Sequence, residues 1–192
     1  PATATITSTR FADYIAEIIR GDAWGCMDIT EPDAGSDMAR LKAYGEQDEG
    51  GNWYVSGTKI FITSGHGKYH LVLAKTADEY SLDALSLFLV PLTIERDGRT
   101  IKNGFVDRVE EKIGHHSSAT CSVQFENSEA ELIGAVGDGF KLMLQLMNNA
   151  RIGVGFESIG TAETAYRMAT AYAAERKSMG KTLAEHEMIA DY

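Results

Sequence analysis

The sequence predicts an α+β chain in which a small β-barrel or sandwich lies between a short N-terminal helix and a long C-terminal one. Three observations carry this. Residues 23 to about 132 contain several short apolar runs divided by turn signals, with no helical period. Before them, Phe11, Tyr14, Ile15, Ile18 and Ile19 recur at spacings of three and four. After them, from Phe140 to Tyr172, apolar residues return to helical spacing.

Each element follows in order. Ser8 or Thr9 can cap a helix over 8–20, and Gly21 stops it. Ala23–Ile29 reads as a buried strand, closed by Pro32, which has no N–H and a fixed φ. Gly45–Asn52 reads as a polar hairpin loop before Trp53-Tyr54-Val55, and Gly57 as a turn. Leu71–Ala74 and Leu85–Val90 are continuous apolar runs, as in strands buried on both faces, and Pro91 ends the second. Ile101–Val109 and Ala119–Phe125 complete the set. Past the glycines at 134, 137 and 139 the period changes, with Asp138 as N-cap of one helix over about 138–177. Its glycines at 153, 155 and 160 cost up to about 1 kcal/mol each against alanine but permit close packing. About 40 residues make it ~60 Å long, so it needs partners from further helices or other subunits. Ser178–Lys181 breaks it, and His186–Tyr192 begins another helix.

Composition narrows the function. The 192 residues suffice for one domain and part of another, and the apolar share of 44% is that of a globular protein. A net charge of −10 argues against nonspecific attraction to nucleic acid. No apolar run reaches the ~20 residues of a membrane span. Pro1–Thr5 lacks the marks of a signal peptide. Cys26 and Cys121 lie far apart in apolar runs and read as free buried thiols. His66, His70, His115 and His116 have no cysteine or carboxylate at ligand spacing, so no metal site is expected.

Two stretches carry the chemistry. In Thr30-Glu31-Pro32-Asp33-Ala34-Gly35-Ser36-Asp37 a strand end presents hydroxyls, a glycine and freed amides, which can hold a flat polar ring edge or a pyrophosphate. The same residues also make a plain capped turn, with Asp33 or Ser36 as the turn residue. In Gly57–Gly65 a second strand runs into the hydroxyl pair Thr63-Ser64 and a glycine. Together with Glu175-Arg176-Lys177-Ser178-Met179-Gly180-Lys181, these resemble the acyl-CoA dehydrogenase family of flavoproteins. The family patterns are T-E-P-x-A-G-S-D, G-x-K-x-W/F-I-T-N/S-G and E-R-x-x-F-G-K. The resemblance runs from about Ile18 to the end of the sequence.

The resemblance implies a small antiparallel β-barrel as the middle domain. Residues 1–21 would end an N-terminal helical domain, 22–134 would be the flavin-binding barrel, and 135–192 would begin a C-terminal helical domain. It implies FAD as cofactor and an acyl-CoA substrate. In the reaction a glutamate removes the α-proton of the thioester and the flavin N5 takes the β-hydrogen as hydride. The base lies downstream of residue 192 in most members, or just before an arginine on the long helix in a minority. Here Ala150 precedes Arg151, so no catalytic residue is expected within the chain. It reads as a fragment, inactive by itself.

Residue by residue, the resemblance implies that Thr30 meets the flavin edge with the backbone of Met27 and Ile29 beside it. Ser36 would reach the FAD pyrophosphate and lie near substrate. Phe61, often tryptophan in the family, would lie against the ring beside Ile62, and Thr63 would donate to N5. Arg176 and Ser178 would contact the FAD of a neighbouring subunit, with His186 and Glu187 as a further cofactor pair. Met179 replaces the usual phenylalanine. Asn148, often aspartate, and Arg151 would face the CoA moiety. On the residues alone, the alternatives are Arg151 as a helix-surface ion-pair partner, Phe61 as a core aromatic and Arg176 as a solvated cation. Lys112–Cys121 resembles a family loop near the nucleotide, with His115 or Ser117 as candidate contacts. The resemblance further implies electron-transfer flavoprotein as acceptor, a homodimer or tetramer, and a bacterial cytoplasmic or mitochondrial matrix location. An acyl-CoA oxidase of the same fold and a non-catalytic flavin- or CoA-binding module are the alternatives.

Overall fold

The structure, a computed structural model, describes residues 9–191. It divides into two compact units, residues 1–145 and 146–192.

In the first unit a 3-10 turn, Thr9–Phe11, leads into helix α1, Ala12–Arg20. The N-cap is Phe11, whose side chain makes no capping bond. Ser8 lies outside the described residues. Gly21 ends α1 in the left-handed conformation, φ 79°, as its sequence position predicts. Four side-chain hydrogen bonds tie the 3-10 turn and α1 to the barrel domain. Glu17 accepts bonds from Lys68 Nζ (2.6 Å) and Tyr69 Oη (2.7 Å), and Glu131 accepts from Arg10 Nε (2.9 Å) and Tyr14 Oη (2.6 Å). The apolar stripe remains partly bare, with Ile19 79% exposed.

Nine strands follow. They are β1 Gly25–Asp28, β2 Tyr44–Gln47, β3 Trp53–Thr63, β4 Tyr69–Lys75, β5 Leu85–Pro91, β6 Thr93–Arg96, β7 Arg99–Lys102, β8 Phe105–Val109 and β9 Thr120–Ile133. A ring closes in the order β4-β2-β3-β9-β5 and back to β4. The ring is mixed rather than purely antiparallel, because β2 runs parallel to β4. The reason is geometric: an odd ring of strands cannot alternate direction all the way round, so one neighbouring pair must be parallel. Outside the ring, β1 pairs parallel with β4 and β8 pairs with β9. β6 and β7 form a separate hairpin. The single run expected over 101–109 is two strands, because the Asn103 and Gly104 amides both turn to the Leu92 carbonyl.

The barrel core is built from Val55, Val72, Phe88, Val90, Val123 and Phe125, all almost fully buried. β4 and β5 are buried on both faces, as their continuous apolar runs predict. Gly45 is part of β2 rather than of a loop; a Cβ there would stand 2.5 Å from Phe88 Cζ, so its bareness makes room for the ring. Gly57 is not a turn. It sits in β3 at a register shift, with φ 146° and space for a Cβ blocked by Ala43 at 2.5 Å.

Helix α2, Gly139–Glu175, opens against the barrel with Gly139 and Met143 buried. In the second unit its later turns are bare: Ile152, Val154, Phe156, Ile159, Tyr166, Met168 and Tyr172 are all exposed. After α2 come a short hairpin, β10 Lys177–Ser178 with β11 Lys181–Thr182, and helix α3, Glu187–Ala190. Tyr192 lies outside the described residues. No helix among the described residues is long and apolar enough to cross a membrane.

Candidate functional site

The site is built where β1 and the end of β3 lie side by side. The Ile60 amide donates to the Thr30 carbonyl at 2.8 Å. At the other end, a Cβ on Gly67 would lie 2.8 Å from the Trp24 carbonyl, and the Trp24 ring stands 5.6 Å from that of His66. Residues 24–30 and 60–67 therefore run past one another in opposite directions, with Met27 and Thr63 between the two anchors. Along β1, Cys26 and Asp28 point inward and Met27 is half-buried on the other side. Along β3, Lys59 and Ile62 both point inward although they are three apart. That odd spacing needs a bulge, which is where the register shifts. The extra residue leaves Phe61 outside, 60% exposed, in the left-handed region at φ 60°. Ser64 follows at φ 57°. Left-handed backbone under a bulky side chain is strained, and such strain gathers at functional sites.

Of the residues the sequence singles out, Met27, Ile29 and Thr30, all half-buried, thus lie on the segment that runs beside exposed Phe61 and Thr63. Ile62 is buried and faces the core, so only its backbone belongs there. Phe61 is not a core aromatic. Ser36 is exposed on the turn that follows β1. Among the described residues, none hydrogen-bonds the hydroxyl of Thr30, Ser36 or Thr63. The chain does make a hydrogen-bonded turn at 31–34, but among the described residues no backbone amide bonds the side chain of Asp33 or Ser36, and the Asp33 carboxylate pairs with Lys42 Nζ at 2.6 Å. Gly35 has an ordinary φ and open space where a Cβ would stand, so nothing in the chain itself requires glycine there.

The turn is held from below by residues whose importance the sequence reading missed. Glu31 is buried. Its carboxylate accepts from the amides of Lys42 (2.7 Å) and Ala43 (3.0 Å) and from Lys59 Nζ (2.7 Å). Its backbone exchanges two hydrogen bonds with Ala34, pinching the chain around Pro32 and Asp33. Lys59, fully buried, also donates to the Ile29 carbonyl (3.0 Å) and the Leu73 carbonyl (2.7 Å). Burial pulls the ammonium pKa down, and the carboxylates of Glu31 and Asp28 oppose that pull.

A second buried cluster corrects the expectation that no histidine has a cysteine or carboxylate within ligand reach. His70 Nδ1 lies 2.8 Å from Asp28 Oδ2 and 3.2 Å from Cys26 Sγ, and Nε2 faces the Gly67 carbonyl at 3.2 Å. The ligand atoms of Cys26, Asp28 and His70 lie within 4.8 Å of one another. Parallel pairing of β1 with β4 sets Cys26 opposite His70, a proximity that 44 residues of separation hide. The thiol pKa is raised, first by burial and then by the Asp28 charge. Cys26 and Cys121 are free and buried, as their apolar surroundings predict.

In the second unit, Arg151 donates to Asn148 Oδ1 at 3.0 Å, so its near neighbour on the helix is an amide. Ser178 and His186 meet through the Ser178 carbonyl and His186 Nε2 at 3.1 Å. Glu187 opens α3 beside them. Arg176 is exposed where α2 ends, and its carbonyl accepts from the Leu183 amide.

The architecture is a closed mixed barrel with an exposed aromatic ring at a strained bulge, and among the described residues the hydroxyls of Thr30 and Thr63 beside it and of Ser36 on the following turn have no partner. The chain belongs to the acyl-CoA dehydrogenase family. Residues 26–128 match the family's middle domain and residues 137–192 its C-terminal domain. The chain is similar to 3-methylmercaptopropionyl-CoA dehydrogenase of Ruegeria pomeroyi, 37% identical over 86% of this chain and 30% of that protein. It is also similar to an acyl-CoA dehydrogenase of Bacillus subtilis, 32% identical over 92% of this chain and 46% of that protein. The solved structure of butyryl-CoA dehydrogenase from Megasphaera elsdenii superposes with a TM-score of 0.83 at 26% identity, covering 98% of this chain and 49% of that one. The chain thus spans less than half the length of each of these relatives.

Proposed function

We propose that the chain is the middle barrel and the beginning of the C-terminal helical domain of an FAD-dependent acyl-CoA dehydrogenase. One observation carries the reading. Thr30 and Thr63, on neighbouring segments beside exposed Phe61, and Ser36 on the turn that follows have hydroxyls with no partner among the described residues, in a chain whose family is established. The residues fit such a group. Gly35 leaves open backbone beside Ser36, and Phe61 offers a flat apolar face held outward at the cost of a strained φ. When bound, the flavin supplies the two-electron acceptor for α,β-desaturation.

The chain's own residues bind and orient. Thr30 and Thr63 offer hydroxyls to the polar edge of the ring, and Phe61 excludes water from one face. Ser36 and the amides after Pro32 suit the pyrophosphate. Arg176, Ser178, His186 and Glu187 suit a second cofactor contact, through the planar donor fork of the arginine. Asn148 and Arg151 suit the CoA moiety. No residue here takes the proton from the substrate α-carbon, because Ala150 stands before Arg151; the base belongs to chain outside 1–192. The bare apolar side chains of α2 match a helix covered by further helices or by another copy of the protein. Electron-transfer flavoprotein is the inferred acceptor, and the bacterial cytoplasm or mitochondrial matrix the inferred compartment.

The test is anaerobic addition of acyl-CoA thioesters to the full-length protein. Bleaching of an oxidised-flavin spectrum, with electrons then passed to electron-transfer flavoprotein, is the expected result. A protein that carries no flavin, or whose flavin no acyl-CoA reduces, would overturn the reading.

A further inference from the structure

We propose that Lys59 and Glu31 form a positioning pair that roots the Thr30–Ser36 turn by filling a gap in the barrel wall; this rests on the flavin reading above. The gap follows from the pairing. β1 covers one edge of β4 at residues 69–72, and β2 meets the same edge only at Lys75. Between them the chain from 29 to 43 leaves the wall, and the β4 edge near Leu73 has no strand beside it. Lys59 reaches in from β3 and donates to the Leu73 carbonyl at 2.7 Å. The same ammonium holds the Ile29 carbonyl, where the excursion departs, at 3.0 Å. Its third bond goes to Glu31 at 2.7 Å. Glu31 in turn holds the amides of Lys42 and Ala43, where the excursion returns.

Three N–H bonds thus meet three acceptors on two segments, 29–31 and β4, and the lysine has no donor left over. An apolar side chain of equal length could fill the space. It would take the ammonium donor from the Ile29 and Leu73 carbonyls and leave the buried Glu31 carboxylate with the Lys42 and Ala43 amides but no counter-charge. The pair touches no ligand surface. It acts through the turn that carries Thr30 and Ser36 and through β3, where Phe61 and Thr63 stand two and four residues beyond Lys59.

The experiment compares the full-length holoprotein with its Lys59→Met and Glu31→Gln variants by amide hydrogen exchange and by the flavin's midpoint potential and visible spectrum. The Lys42, Ala43 and Ile60 amides should exchange about tenfold faster or more in both variants, with β4–β5 amides unchanged. The potential and spectrum should shift in the same variants. If Lys59→Met does not fold, Glu31→Gln, which keeps the volume and one acceptor oxygen, decides the question. Wild-type exchange at these amides overturns the inference. So does faster exchange with an unmoved potential and spectrum, which would make the pair structural only. A wild-type protein without flavin defeats the site reading itself, whereas a flavin-bearing wild type with indifferent variants defeats only the pair.

Discussion

Glycine at position 61 should be better tolerated than alanine, the reverse of the ordinary order inside a strand. In a relaxed strand, glycine is less stable than alanine by about 0.5–1 kcal/mol. Phe61, however, sits at φ 60°, where a Cβ costs about 1–2 kcal/mol. The two effects oppose each other, and the steric one is larger. Phe61→Gly should therefore be the more stable variant by about 0.5–1 kcal/mol. Both lose the packing of a ring that is only 40% buried by area, since 60% is exposed; that loss is about 1 kcal/mol. Phe88→Ala, removing a fully buried ring, should cost about 3–5 kcal/mol and sets the scale. Urea unfolding with a common m-value resolves these differences. If Phe61→Ala equals or exceeds Phe61→Gly in stability, the residue is not held left-handed, and the strained, outward presentation of its ring is wrong.

Gly57→Ala should destabilise by about 2–3 kcal/mol in the same assay, because the new Cβ meets Ala43 Cβ at 2.5 Å and Cα at 2.7 Å in the barrel wall. Gly139→Ala should loosen the first turn of α2, since a Cβ there would lie 2.5 Å from the Ser86 carbonyl carbon; faster exchange of the Leu142 and Met143 amides would report it. Attachment of α1 should weaken in acid. Lys68 first, and Tyr69 second, hold the Glu17 carboxyl below its ordinary pKa of 4.5. A folded-state pKa that is depressed gives stabilisation present above the ordinary value and lost as pH falls through the lowered one. Amides of α1 should exchange faster, relative to intrinsic rates, at about pH 3 than at about pH 6, and Glu17→Gln should remove the difference.

The parts of the fold legible in the sequence are those set by local pattern. β4 and β5 announce themselves as unbroken apolar runs, and α2 by its period. The Gly57 misreading shows the limit: glycine marks a turn or a close approach equally well, and only the position of Ala43 decides. β9 runs on to Ile133 through Glu126, Asn127 and Glu129, because the pairing of Leu87–Leu89 with Glu131–Ile133 is stronger than the polar composition suggests. β6 carries no apolar run to mark it, since a four-residue polar strand pairs only with its own hairpin partner. The outer residues of the proposed site, Thr30, Phe61 and Thr63, stand out by motif. Its foundations do not. Charged residues are read as solvent-facing, and Glu31, Lys59, Asp28 and His70 are buried only because their partners arrive from distant strands. A signal did exist in β3, where Lys59 takes the inward place in a strand that continues to Ile62.

The central claim is that one barrel face, carrying Thr30, Phe61 and Thr63, receives the flavin. The most direct measurement is FAD binding to the full-length apoprotein, followed by flavin fluorescence, for wild type, Thr30→Val, Phe61→Ala, Thr63→Val and a control, Thr58→Val. Each of the first three variants should weaken binding by about threefold to tenfold, as loss of a single hydrogen bond or ring contact implies, with the control unchanged. Equal affinity across all five proteins, or no binding by wild type, would contradict the account.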